Sequence, residues 1–197
     1  MNQIIFVIDP MCSWCWGFHP IIEELRKKYS NRYCFSVVVG GLRTKGDMIW
    51  NKKSKHYLAQ NWNAVHSRTQ QSFNFSLLNR DFFEYDTYPA CKAIVTVREL
   101  WGEEASFEYL SKIQEAFYAH SIDITHLERL SYYIDEKKKD NFLEFYRSPR
   151  AEVLMQHDFS KARSMGANAF PSIVKIDSEG HMICQKGYQT IDTILKL

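Results

Sequence analysis

The sequence predicts an α/β fold in which a small sheet is divided along the chain by a long block of helices. Three observations carry this prediction. An apolar run, Ile4-Ile5-Phe6-Val7-Ile8, is followed by an amphipathic helical stretch and a second β-rich run, Tyr33 to Val39. The β texture returns near the end in Ser172 to Ile176 and His181 to Gln185, and between about residues 45 and 163 it is replaced by helical patterns. With 197 residues, 45% of them apolar and 15% aromatic, the chain can bury a substantial core as one domain, or as one domain carrying a large insertion.

Residues 3 to 8 are β-branched or aromatic with almost no polar break, which suits a central strand buried on both faces. Beyond Cys12, the apolar Trp16, Ile21, Ile22 and Leu25 lie at helical spacing against Glu23, Glu24, Arg26, Lys27 and Lys28, with acid early and base late. This helix is expected to end near Tyr29 to Asn31 and to bend at Pro20, which lacks a backbone donor. Tyr33 to Val39, closed by Gly40-Gly41, completes a βαβ unit with parallel strands. Such a unit sets the N-terminus of its helix at the carboxyl edge of the sheet, where α/β proteins bind ligands.

The following block predicts helices over 47–69 with an internal break, 89–100 ending at Trp101-Gly102, 103–120, 126–138, a short one over 141–146, and 149–165. Thr125-His126-Leu127-Glu128 reads as a capping box, and Ser148-Pro149 as a capping residue before a proline at the first helical position. Ser172 to Ile176 and His181 to Gln185 then form a hairpin around Asp177-Ser178-Glu179-Gly180, and residues 190–197 a short closing helix. The expected division is a discontinuous α/β part, 1–44 with 166–197, and an inserted helical part, 45–165.

Lys and Arg number 25 against 23 Asp and Glu, a net charge of +2 that is too small to call for nucleic acid. No apolar run approaches the roughly 20 residues of a membrane helix. Met1-Asn2-Gln3 leads straight into the first strand without the pattern of a secretory leader, so a cytoplasmic protein is expected. Five widely spread cysteines, an odd number, do not form a disulfide framework.

The exception to that spread is Cys12-Ser13-Trp14-Cys15, placed where the first strand gives way to the helix. The first N–H groups of a helix lack intrahelical partners and carry partial positive charge, so a thiolate on Cys12 is favoured there. A C-x-x-C beside a βαβ pattern suggests a redox dithiol. The same spacing serves as half of a structural zinc site, but the chain has no second close pair to complete one. A second element is Ala169-Phe170-Pro171-Ser172, with a proline at the start of a strand, where the missing donor is tolerated. Trp14 and Trp16 flank the thiols as an apolar lip or as core, and His19 lies one turn beyond Cys15 as a tuning group or an ordinary helix residue. Cys34, Cys91 and Cys184 read as inert buried thiols.

The order of these elements, with Asp9-Pro10-Met11-Cys12-Ser13-Trp14-Cys15-Trp16-Gly17-Phe18, Gly40-Gly41-Leu42-Arg43, Tyr88-Pro89-Ala90-Cys91-Lys92-Ala93, Asp123-Ile124-Thr125 and Gly166 through Phe170-Pro171-Ser172, resembles the DsbA-like proteins of the thioredoxin superfamily. Within them it is most similar to the branch described as protein-disulfide isomerases, and the likeness spans nearly the whole chain. The resemblance implies a thioredoxin fold interrupted by a helical insertion, with Pro171 in cis facing the cysteine pair. It implies an exposed nucleophile, Cys12, a more buried resolving thiol, Cys15, and no dissociable cofactor. Phe170 would offer its backbone to an extended substrate beside Pro171, with Met11 and Trp14 as further substrate contacts. Partners would be a protein disulfide or dithiol, or a small thiol such as glutathione.

Two departures bear on tuning. Ser13-Trp14 replaces the His- or Pro-containing dipeptide of many relatives, and Phe6 stands where several of them bury an acid. Asp9 is the nearest substitute for that acid, or else a turn residue before Pro10. Two further readings stay open at this point: a glutathione-dependent transferase or isomerase of the kappa-like group, whose members typically carry Ser at the first active position, and a noncatalytic module that binds peptides or a ligand.

Overall fold

The computed structural model describes residues 2–197. Asn2–Ile8 forms β1, Ser13–Tyr29 α1 and Tyr33–Val39 β2; these are followed by α2 (Lys52–Thr69), a 3-10 turn at Phe75–Asn79, and α3 (Tyr88–Tyr118). After a short α4 (Leu127–Ser131) come α5 (Lys139–Arg147) and α6 (Pro149–Ser164), then the strands β3 (Ser172–Ile176) and β4 (Met182–Lys186) and the terminal α7 (Ile191–Lys196). The sheet order is β2-β1-β3-β4. β1 runs parallel to β2, with Phe6 opposite Val37, and antiparallel to β3, with Phe6 opposite Ile173.

The two-sided burial expected of β1 follows its period of two. Ile4, Phe6 and Ile8 enter the main core, while Ile5 and Val7 face a second cluster with Val38, Val174, Ala162 and Met165. The main cluster contains Phe6 and Ile173 of the sheet together with Trp62 and Phe117 of the inserted helices, so sheet and insertion share one core.

α1 passes through Pro20 as one helix. The carbonyl of Trp16, which a residue other than proline at 20 would have engaged, accepts instead from Gln71 Nε2 at 3.0 Å. Close approach of α2 depends on Gly17, where a Cβ would come within 2.5 Å of Val65 Cγ1. At the outer edge of the sheet, side chains complete the β2 hydrogen bonds. Glu103 accepts from Val37 N at 3.1 Å and Asp158 from Val39 N at 3.0 Å, and Arg98 donates to Val37 O at 2.5 Å. Arg98 and Asp158 are themselves paired through two contacts of 2.8 Å. This edge is therefore closed to other strands.

Four sequence expectations are corrected. α2 begins at Lys52 rather than near 47 and is unbroken, because Asn51 caps it in a reciprocal box with Ser54. The predicted 126–138 helix stops at Ser131 and resumes only as a 3-10 turn at Glu136–Lys138. Its supposed capping residue, Thr125, instead bonds Asp123 through both N and Oγ1, and the cap position falls to His126 without a side-chain bond. Of the thiols expected to be buried, Cys34 near the start of β2 is exposed and Cys184 in β4 is only partly buried. The break at Gly102 is present, with φ of 87° inside the long α3, a left-handed value that favours glycine.

Candidate functional site

The site forms where β1 ends. Asp9 turns the chain, accepting Cys12 N at its carbonyl (3.1 Å) and Met11 N at Oδ1 (2.8 Å), so that Cys12 becomes the N-cap of α1 in an extended conformation. The carbonyl of Cys12 accepts from the third and fourth helical N–H groups, Cys15 at 3.0 Å and Trp16 at 3.1 Å. Its thiol faces across the sheet edge to the carbonyl of Phe170, 3.5 Å away. The Phe170–Pro171 peptide is cis, and the Phe170 ring lies over Gly40, where a Cβ would come within 1.8 Å of it. Two segments 158 residues apart in sequence thus meet at one sulfur.

Cys12 is 7% exposed and Cys15 1%, so the thiol expected to be exposed is itself buried, though less completely than Cys15. The Cys15 sulfur accepts Asp9 N at 3.5 Å. Burial and the neighbouring Cys12 push the Cys15 thiol well above its ordinary value, which keeps it protonated at neutral pH.

Asp9 is fully buried. Its Oδ2 accepts Leu42 N at 2.6 Å and faces the Cys91 thiol at 3.6 Å. Desolvation raises its pKa, opposed by the bonds from Leu42, Met11, Thr87 and Cys91. It is both the turn residue and a buried acid next to the Cys15 thiol. Met11 is also fully buried, and its carbonyl accepts Tyr85 Oη at 2.5 Å. Its side chain therefore packs in the core and lies away from any substrate, contrary to the sequence reading. Trp14 is half-buried beside Tyr188, with ring centroids 6.1 Å apart, and Ser13 is likewise half-buried at the first helical position. Trp16 belongs to the core, its indole N–H donating to Ser72 O at 3.0 Å. His19 is 9% exposed, stacked on Trp16, and burial lowers its pKa.

Sequence reasoning missed Gly40, Leu42, Tyr85, Thr87, Tyr118 and Tyr188 as parts of this region. Gly40-Gly41-Leu42 and Tyr88-Pro89-Ala90-Cys91 had stood out as motifs, and Tyr85 and Thr87 lie just before the second of these. Nothing local marks Tyr118 or Tyr188. A cavity of about 700 Å³ lined by Arg26, Cys34, Glu103 and Phe107 lies at the opposite end of the sheet, since Cys34 pairs with Gln3 at the start of β1. Among the described residues no helix is long and apolar enough to cross a membrane.

The family model described as Thioredoxin matches residues 5–195. A protein of Nitrosomonas europaea, named as a candidate protein disulfide isomerase, superposes with a TM-score of 0.87 at 29% identity, covering 99% of this chain and 94% of that one. The cytosolic disulfide reductase DsbM from Pseudomonas aeruginosa superposes with a TM-score of 0.77 at 20% identity, covering 93% and 89%. Its structure with GSH gives 0.75. Among curated proteins, the ClpXP adapter protein SpxH of Bacillus subtilis is 25% identical over 189 residues, which are 90% of this chain and 59% of that protein. The chain thus spans less than two thirds of the length of the curated relatives it matches.

Proposed function

The chain belongs to the thioredoxin family, and on that premise we propose that it is a DsbA-like thiol-disulfide oxidoreductase working through Cys12 and Cys15. The observation that carries this reading is the Cys12 sulfur, placed at the N-terminus of α1 and against the Phe170 carbonyl at 3.5 Å. The Cys12 thiolate attacks one sulfur of a substrate disulfide, forming a mixed disulfide and expelling the other sulfur as a thiolate. Cys15 then loses its proton and attacks Cys12 Sγ. The second substrate thiolate leaves, and a Cys12–Cys15 disulfide carries the two electrons' worth of oxidation. An external dithiol or two molecules of a small thiol such as glutathione restore the pair.

The high pKa of Cys15 keeps it idle until the mixed disulfide forms. Phe170 and Pro171 present backbone and ring to an extended substrate, Trp14 forms an apolar lip, and Ser13, Asp9 and His19 adjust the thiols. In this reading 45–165 is the inserted helical part and the protein is cytoplasmic. Support for exchange chemistry comes from the likeness to the Nitrosomonas protein, and for small-thiol partners from DsbM with GSH.

The test uses a Cys34→Ser background, because Cys34 is exposed. Adding Cys15→Ser should trap a stable mixed disulfide on Cys12 when the protein meets a disulfide substrate, located by peptide mass spectrometry. An adduct elsewhere, or none, would sink the reading. The names of the curated relatives favour a second reading, a protein-binding adapter. It predicts that a Cys12→Ser, Cys15→Ser double variant keeps its partner while the wild type turns over no disulfide.

A further inference from the structure

Asp9 touches both cysteines of the pair with its backbone and a third thiol with its side chain. Its N–H donates to Cys15 Sγ at 3.5 Å, and its carbonyl accepts from Cys12 N at 3.1 Å. Its Oδ2 faces the thiol of Cys91, 3.6 Å away on the first turn of α3. Asp9 and Cys91 are both fully buried. In the sequence Cys91 is one more core thiol; in the fold a single residue separates it from Cys15.

Burial and the neighbouring Cys12 set the Cys15 thiol high, and Asp9 then acts on it in two opposing senses. The Asp9 N–H favours a thiolate on Cys15, while the charge of the Asp9 carboxylate disfavours one. The balance depends on what engages that carboxylate, because a hydrogen-bond donor offsets charge that nothing else screens in a low-dielectric interior. Met11 N and Leu42 N are backbone donors. Cys91 is a side-chain donor, brought by an element outside the Cys12 to Cys15 motif. Burial and the Asp9 carboxylate push the Cys91 thiol well up, so it keeps its proton and donates it. Burial raises the pKa of Asp9 in turn, and the bond from Cys91 opposes that rise. Both directions describe one interaction, an S–H donating to a carboxylate.

We propose that Cys91 is a positioning residue of the dithiol: its S–H, held on Asp9 Oδ2, offsets the carboxylate charge beside Cys15 and so eases the resolving attack. The proposal rests on the oxidoreductase reading. In that attack Cys15 gives its proton to solvent and its sulfur bonds to Cys12 Sγ, and the substrate sulfur leaves as a thiolate. Cys91 keeps its proton throughout and is neither oxidised nor reduced. The titratable groups facing Cys15 are Cys12 and Asp9. Asp9 in turn faces Cys91, together with Tyr85 and Tyr118, whose phenols burial keeps protonated.

The test follows the reaction of the full chain, in a Cys34→Ser, Cys184→Ser background, with the aromatic disulfide DTNB, whose leaving thiolate is coloured. One thiolate is released when Cys12 attacks and a second when Cys15 resolves the adduct. Cys91→Ala should leave the first release at its rate and slow the second. A rise of about one pH unit in the Cys15 pKa cuts its thiolate about tenfold, and the greater nucleophilicity of the more basic sulfur returns part of this, leaving a slowing of about threefold. Cys91→Ser, which returns a donor, should recover most of the rate. Titration of the Cys15 Cβ carbon resonance in a Cys12→Ser chain should show the same rise with Cys91→Ala. An unchanged second release, equal slowing of both releases, or serine no better than alanine would overturn the proposal. A wild type that releases no second thiolate would overturn the oxidoreductase reading, and the Cys15 titration, which needs no exchange, then decides alone whether Cys91 acts on Cys15.

Discussion

Asp9 is a carboxylate without solvent, and it ties together the motif through Met11, the glycine loop through Leu42 and α3 through Cys91. Its pKa is raised above 3.8 in the folded chain. Between 3.8 and that higher value the unfolded chain has released the proton and the folded chain has not, so stability falls as pH rises through this window. Urea unfolding at successive pH values should show that decline in the wild type and not in Asp9→Asn. At neutral pH the variant should also lose about 1.5–3 kcal/mol for each bond to the charge that it fails to remake. Gly40→Ala should push the Phe170 ring aside and lower exchange activity more than thermal stability. At this scale the sequence marked the Cys12 and Cys15 pair, because a C-x-x-C at a strand-to-helix junction stands out locally. It concealed Tyr85 and Tyr118, which reach the site only through the packing of helices far along the chain, and it misjudged Met11, since a position inside a motif does not tell which way a side chain points.

At the scale of elements, α1 shows how a helix accommodates a proline. The bond that Pro20 cannot make is supplied by Gln71. Gln71→Ala should cost about 1 kcal/mol, and the same change in a Pro20→Ala background should cost less, a coupling readable from a double-mutant cycle by denaturation. The β2 edge depends likewise on side chains from α3 and α6. Asp158→Ala leaves the Val39 N–H unpaired and takes from the largely buried Arg98 its two-contact carboxylate, leaving it the Val37 carbonyl and the more distant Glu103, and a loss of about 3–5 kcal/mol is expected. Elements with strong local signals, β1, α1, β2 and the C-terminal hairpin, were legible in sequence. The 126–138 stretch was not, because Thr125 was claimed by Asp123 and the turn after Ser131 left no apolar face long enough to carry a helix through to Lys138.

At the scale of the whole molecule, the α/β frame with helices inserted between β2 and β3 was readable from texture alone, since β-branched runs and helical periodicity occupy separate stretches of the chain. The shared core was not readable, because no local pattern says that Trp62 and Phe117 pack in one cluster with Phe6. That cluster gives the dithiol its setting: the sheet places Cys12 at its edge, and the helices bury Cys15 behind it. The account stands most directly on the redox couple. After equilibration of the Cys34→Ser chain in glutathione buffers of graded potential, quantifying the Cys12–Cys15 disulfide should give a single reversible two-electron transition, absent when either cysteine is replaced by serine. Thiols that stay reduced, or oxidise without reversal, across the whole range would contradict it.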